Sequence, residues 1–82
     1  MNQQIHDIIL AHAGLPAGVE ITDETDLYRA GMKSFASVQL MLALEEAFDI
    51  EFPEEMLNRA TFRSASAIER AVSQISSTTL VA

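Results

Sequence analysis

The residue best placed for chemistry is Ser34. It follows Gly31-Met32-Lys33 and opens a run of strong helix formers. Read by position alone, a serine there is a cap whose hydroxyl accepts an orphan backbone N–H. No His or carboxylate is adjacent to activate it as a nucleophile. His6 and His12 lie six residues apart, on different sides of a helix. Metal pairs on one helix sit three or four apart, so these read as surface or half-buried histidines. Asp23, Glu24 and Asp26 are dense but lack the central Gly and closing Glu of a calcium loop. The chain has no cysteine, hence no thiol nucleophile, disulfide or thiolate metal site. No metal site and no catalytic constellation are expected, and the chain reads as a non-enzyme.

The elements that must position Ser34 are helical. Residues 2–13 predict a first helix, with Ile5, Ile8, Ile9 and His12 on one face. Gly14 stops it and Pro16 cannot continue it. Residues 14–33 form a connection long enough to suggest function. Leu15, Val19, Ile21, Leu27 and Tyr28 would pin it to the core. Thr22 or Asp23 could cap a short turn within it, ending at Gly31. Residues 34–48 contain neither Gly nor Pro and form the clearest helix. Pro53, Glu54 and Glu55 suit the start of a short third helix. Thr61 is a candidate cap for a last helix over 63–75, with Ala65, Ile68, Val72 and Ile75 as its buried stripe. No alternating run suggests a strand. The expected fold is all-α: a four-helix bundle with a long first loop and a short third helix, one domain over 1–75 and a frayed tail over 76–82.

Bulk properties narrow the function. At 82 residues the chain has room for one modest core and no deep cleft. Twelve acids face five basic residues, a formal net charge of −7. That disfavours nucleic acid and anionic membranes, which reward Lys and Arg. It favours basic protein partners. Met1-Asn2-Gln3-Gln4 has no signal-peptide character. No stretch approaches the roughly 20 apolar residues of a membrane span. A cytoplasmic monomer is expected.

On a helical wheel, Ser37, Leu40, Met41, Leu44 and Phe48 fall within about 100° of one another and can face the core. The other side carries Phe35, Gln39, Leu42, Glu46 and Asp49, flanked by Val38 and Glu45. Single exposed apolar residues are ordinary, so this could be a plain solvated face. An apolar centre with an acidic rim also suits partner docking. Six of the twelve acids lie between Glu45 and Glu55 with no basic residue among them, which favours docking of a basic patch. Met32, Met41 and Met56 could line an adaptable pocket, although filling the core is their commoner use. Phe52 and Phe62 read as anchors for the loop and the last helix.

One ordered set of motifs ties these parts together. Asp26-Leu27-Tyr28-Arg29-Ala30-Gly31-Met32-Lys33-Ser34-Phe35 leads into Val38-Gln39-Leu40-Met41-Leu42-Ala43-Leu44-Glu45-Glu46-Ala47-Phe48. Ile50-Glu51-Phe52-Pro53-Glu54-Glu55 and Thr61-Phe62 follow. Over roughly residues 5–75 this resembles the acyl carrier and peptidyl carrier protein family. That family has an Asp-Ser-Leu motif, a helix ending in Leu-Glu-Glu-x-Phe, and Ile-Pro or Phe-Pro before a short third helix. The resemblance implies a 4′-phosphopantetheine arm, moved from coenzyme A onto Ser34 by a phosphopantetheinyl transferase. The arm would hold acyl or aminoacyl groups as thioesters. A loading ligase and downstream acyl-processing enzymes would be the other partners. Phe35, Val38, Gln39, Leu42, Glu45, Glu46 and Asp49 would form the docking face. The alternative is a carrier-fold interaction or regulatory subunit that works without the arm.

The chain departs from the family near the serine. Lys33 replaces the usual Asp and Phe35 the usual Leu; Ala36 and Gln39 stand where acids are common. Lys33 could contact the arm's phosphate or be an ordinary exposed lysine. These departures imply a specialised carrier rather than the general one of fatty-acid synthesis. Leu27-Tyr28, Gly31-Met32, Ala36-Ser37-Val38 and Met41-Leu42-Ala43-Leu44-Glu45 are also similar to stand-alone carriers served by amino acid:carrier protein ligases.

Overall fold

The computed structural model describes residues 3–81, with side chains described through Ser76. In chain order the helices are α1 (Gln3–His12), α2 (Leu27–Ala30), α3 (Ser34–Phe48) and α4 (Ala65–Val81). A single 3-10 turn spans Glu54–Met56. No strand occurs among the described residues.

The core follows the apolar periodicity. Ile5 and Ile9 of α1, Leu40 and Leu44 of α3 and Ile68 of α4 are fully buried. Met41 and Phe48 pack against them, half-buried. α1 packs on α3 and α4. All four predicted stripe residues of α4 are buried, and Ala71 joins them. Burying a Leu or Ile side chain is worth about 1.5–3 kcal/mol, so these few residues dominate the stability of so small a domain.

The long loop is tied down at both ends. Ile21 and Leu27 are buried. The Leu27 N–H donates to the Arg63 carbonyl at 2.7 Å, and the Ser66 N–H donates to the Asp23 carbonyl at 2.9 Å. These bonds lash the loop to the start of α4. Gly31 ends α2 at φ +128°, and a Cβ there would lie 3.0 Å from Pro16 Cδ. Only glycine takes that conformation and lets the loop pass so close.

Several expected boundaries shift. α2 is capped by Asp26, not Thr22 or Asp23: its carboxylate accepts from the N–H groups of Tyr28 (3.1 Å) and Arg29 (3.3 Å). The Thr22 N–H instead donates to Thr25 Oγ1 at 2.8 Å. α4 begins after Ser64, whose hydroxyl accepts the Ala67 N–H at 3.2 Å, so Ser64 rather than Thr61 is its cap. The Thr61 N–H donates to Asn58 Oδ1 at 3.1 Å. The same Asn58 donates from Nδ2 to the Glu55 carbonyl at 2.9 Å. These local bonds compete with helix formation, so the expected short helix after Pro53 shrinks to the 3-10 turn. The short α-helix of the bundle lies at α2 instead. α4 continues to Val81, past the expected end at 75, because residues 76–81 hold no Gly or Pro to stop it. Asn2, the expected first residue of the opening helix, and Ala82, the end of the expected tail, lie outside the described residues.

Candidate functional site

Ser34 is the first residue of α3 and is exposed. It is not the cap. That position belongs to Lys33, in extended backbone at φ −93° and ψ 164°, and no side chain caps the helix. The Ser34 hydroxyl has no hydrogen-bond partner among the described residues. Its carbonyl accepts the Ser37 hydroxyl at 2.7 Å. A serine spent on capping would show a bonded hydroxyl. Here the oxygen faces water beside uncommitted N–H groups, where a helix dipole favours an anion.

A cavity of about 390 Å³ opens beside Ser34. Val38 and Met41 of α3 form one wall, and Tyr28, Leu57, Arg59 and Phe62 line the rest. Phe62 is fixed by an edge-on contact with Phe52, ring centroids 5.2 Å apart. The Arg59 guanidinium lies over the Tyr28 ring, 4.2 Å from its centroid. Leu57 and Arg59 carried no signal in the sequence, because no periodicity links the irregular segment 57–64 to Ser34. Of the methionines weighed for a pocket, only Met41 lines this cavity. Met32 is buried and Met56 packs against the core.

The candidate docking face is exposed along most of α3. Phe35 is 76% exposed, Val38 49% and Leu42 50%. Gln39, Glu46 and Asp49 are exposed as well. Glu45 differs: it is half-buried, and its Oε2 accepts the Phe52 N–H at 3.0 Å. That carboxylate holds the loop after α3. His6 is half-buried and His12 exposed. Among the described residues no three His, Asp or Glu side chains group as a metal site, and no helix is long and apolar enough to cross a membrane.

Below the Ser34 cavity, Asp26 gathers α2 and the start of α4. Arg63 Nε lies 3.4 Å from its Oδ2. Burial pushes the Asp26 carboxyl up. The Arg29 N–H, the hydrogen bond and charge of Arg63, and the Tyr28 N–H outweigh it and hold the group below its usual value.

An exposed, unclaimed serine at an uncapped helix start, on a small helical bundle, is the arrangement a carrier protein needs. The chain belongs to the phosphopantetheine attachment site family, whose profile matches residues 3–72. It carries a 4′-phosphopantetheine group on a serine. It is 57% identical over 76 residues, 92% of each chain, to the aminoacyl carrier protein of Agrobacterium fabrum. Its fold is similar to the carrier protein from Agrobacterium tumefaciens in complex with an engineered Bradyrhizobium japonicum glycine:[carrier protein] ligase and AMP. There the TM-score is 0.83 at 57% identity, over 89% of this chain and 99% of that one. The cognate carrier of the B. japonicum ligase matches with a TM-score of 0.73 at 26% identity, over the same shares.

Proposed function

We propose that this chain is an aminoacyl carrier, with its 4′-phosphopantetheine arm esterified to Ser34 Oγ and loaded by an amino acid:carrier protein ligase. The observation that carries the reading is the exposed Ser34 hydroxyl without a partner at the uncapped start of α3. The residues present fit the group. Ser34 offers the oxygen, the first N–H groups of α3 can receive the phosphate, and Lys33 adds a cation next to it. When bound, the arm supplies a terminal thiol that holds the amino acid as a thioester. Among the described residues none offers a base to the Ser34 hydroxyl, so the phosphopantetheinyl transferase provides it. Phe35, Val38, Gln39, Leu42, Glu46 and Asp49 dock the enzymes, with Glu45 shaping the rim. The chain itself catalyses nothing; it tethers the cargo and raises its effective concentration at the partner. Residues 1–75 form the carrier domain, and its place of work is the cytoplasm, where coenzyme A and ATP are at hand.

Incubation with coenzyme A and a broad-specificity transferase should add the arm's mass. Ligase, ATP and amino acid should then add an aminoacyl residue. Both increments should vanish in Ser34→Ala. No increment with several transferases overturns the proposal. Full cellular function of Ser34→Ala, with loss in Glu46→Lys, would establish the arm-free subunit instead.

A further inference from the structure

The chain has only five cationic side chains against twelve acids. Three of the five, Arg29, Arg59 and Arg63, line one cavity of about 380 Å³ with Asp26 and Ala60. Scattering the cations among the acids would lower the energy of so acidic a chain; gathering three guanidiniums does the reverse. The one carboxylate present cannot neutralise them. Asp26 is already engaged by the N–H groups of Tyr28 and Arg29 and by Arg63 Nε. The Arg59 guanidinium is steered by the Tyr28 ring. The Arg29 guanidinium has no partner among the described residues. Two positive charges are left over in a space that could hold a small anion.

The cavity also adjoins the site of modification. Arg59 lines both this space and the cavity beside Ser34, so an anion held here shares the Arg59 side chain with the cavity that holds the serine. Guanidinium forks match phosphate oxygens in shape as well as charge. We propose that the Arg29–Arg59–Arg63 cavity is a phosphate-ester binding site serving Ser34. The phosphate has two possible sources: the phosphodiester of the arm itself, and the nucleotide end of coenzyme A brought up during arm transfer. The identity of the phosphate rests on the carrier reading; the existence of the site does not.

The test uses the adenosine bisphosphate that coenzyme A loses, titrated into the unmodified chain, the Ser34→Ala chain and the arm-bearing chain. The readout is the Nε–H signals of the arginines by nuclear magnetic resonance. In the first two chains the signals of Arg29, Arg59 and Arg63 should move and saturate. Binding should weaken at least about tenfold from low to high salt. Arg29→Gln and Arg59→Gln should each weaken it at least about fivefold, consistent with loss of one charge-assisted contact; the melting temperature should hold in Arg29→Gln and fall by only a few degrees in Arg59→Gln, which loses the contact with Tyr28. If the arm's phosphodiester is the occupant, the arm-bearing chain shows the signals already displaced and binds the probe more weakly. If the nucleotide end is the occupant, that chain binds the probe as the unmodified one does. Unmoved signals, or movement confined to Arg70, overturn the site. Retained binding by Ser34→Ala keeps this result separate from any failure of the arm assignment.

Discussion

The two ends of α3 are built against helix stability, in opposite senses. A helix favours acids at its amino end and cations at its carboxyl end, by about 0.3–1 kcal/mol each. Here the first turn has no acid, Lys33 precedes it and no side chain caps it. The last turn has no base and holds Glu45 and Glu46, with Asp49 as its C-cap. The amino end is left open and electropositive, which suits the phosphate attachment proposed for Ser34. The carboxyl end is negative but closed. Asp49 sits in left-handed backbone at φ +52° and returns its N–H to the Glu45 carbonyl. The Ile50 N–H follows it at 3.1 Å, and the Glu45 carboxylate clasps Phe52. On the proposed reading, one end suits a covalent change at Ser34 and the other a fixed acidic rim for docking; both ends forgo helix stability.

The largest expected effect breaks the support that the two ends share. Leu44→Ala, at a site with no exposure, should cost about 2–5 kcal/mol in urea unfolding. It should reduce both arm attachment and ligase docking. Next, charge reversal at the carboxyl end separates the ends: Glu46→Lys should raise the ligase KM for the arm-bearing chain about tenfold, with screening by salt. Arm attachment should stay within about twofold if docking of the transferase relies on the serine end. Glu45→Ala removes the acceptor of the Phe52 N–H and should cost about 1–3 kcal/mol. Its melting temperature should fall where that of Glu46→Lys does not. Asp49→Gly relieves the left-handed strain and should stabilise by about 0.5–1 kcal/mol while weakening docking. The smallest effect concerns acid. The Asp26 carboxyl is depressed on folding, so its contribution is present above its unfolded value and is lost as pH falls through the folded one. The melting temperature of Asp26→Asn should therefore drop less steeply than wild type below about pH 4.

How much of this was legible in the sequence depended on whether a local pattern encoded it. The core faces of α1, α3 and α4 followed from apolar spacing, since one buried stripe per helix leaves a plain period. Ser34 stood out because Gly31, Lys33 and the helix formers after it mark a helix start. The cap of α2 was misread because Thr22, Asp23 and Asp26 are all good caps, and the choice was made by Arg63, 37 residues away. The helix expected after Pro53 was shortened to a 3-10 turn by Asn58 side-chain bonds that periodicity cannot show. The cavity walls from Leu57 and Arg59, and the meeting of Arg29, Arg59 and Arg63, depend on how an irregular segment folds back over α2 and α3. The candidate partner face was legible as exposure but not in each residue's part: Glu45 carries the same charge as Glu46, yet the Glu45 carboxylate accepts the Phe52 N–H.

One measurement bears on the central claim most directly. After transfer of the arm, cleavage at Lys33 and Arg59 releases a peptide holding both Ser34 and Ser37, and fragment masses distinguish the two hydroxyls. Ser37 already donates to the Ser34 carbonyl, whereas the oxygen of Ser34 is uncommitted. The whole added mass is expected on Ser34. Mass on Ser37, or on a serine outside that peptide, would contradict it.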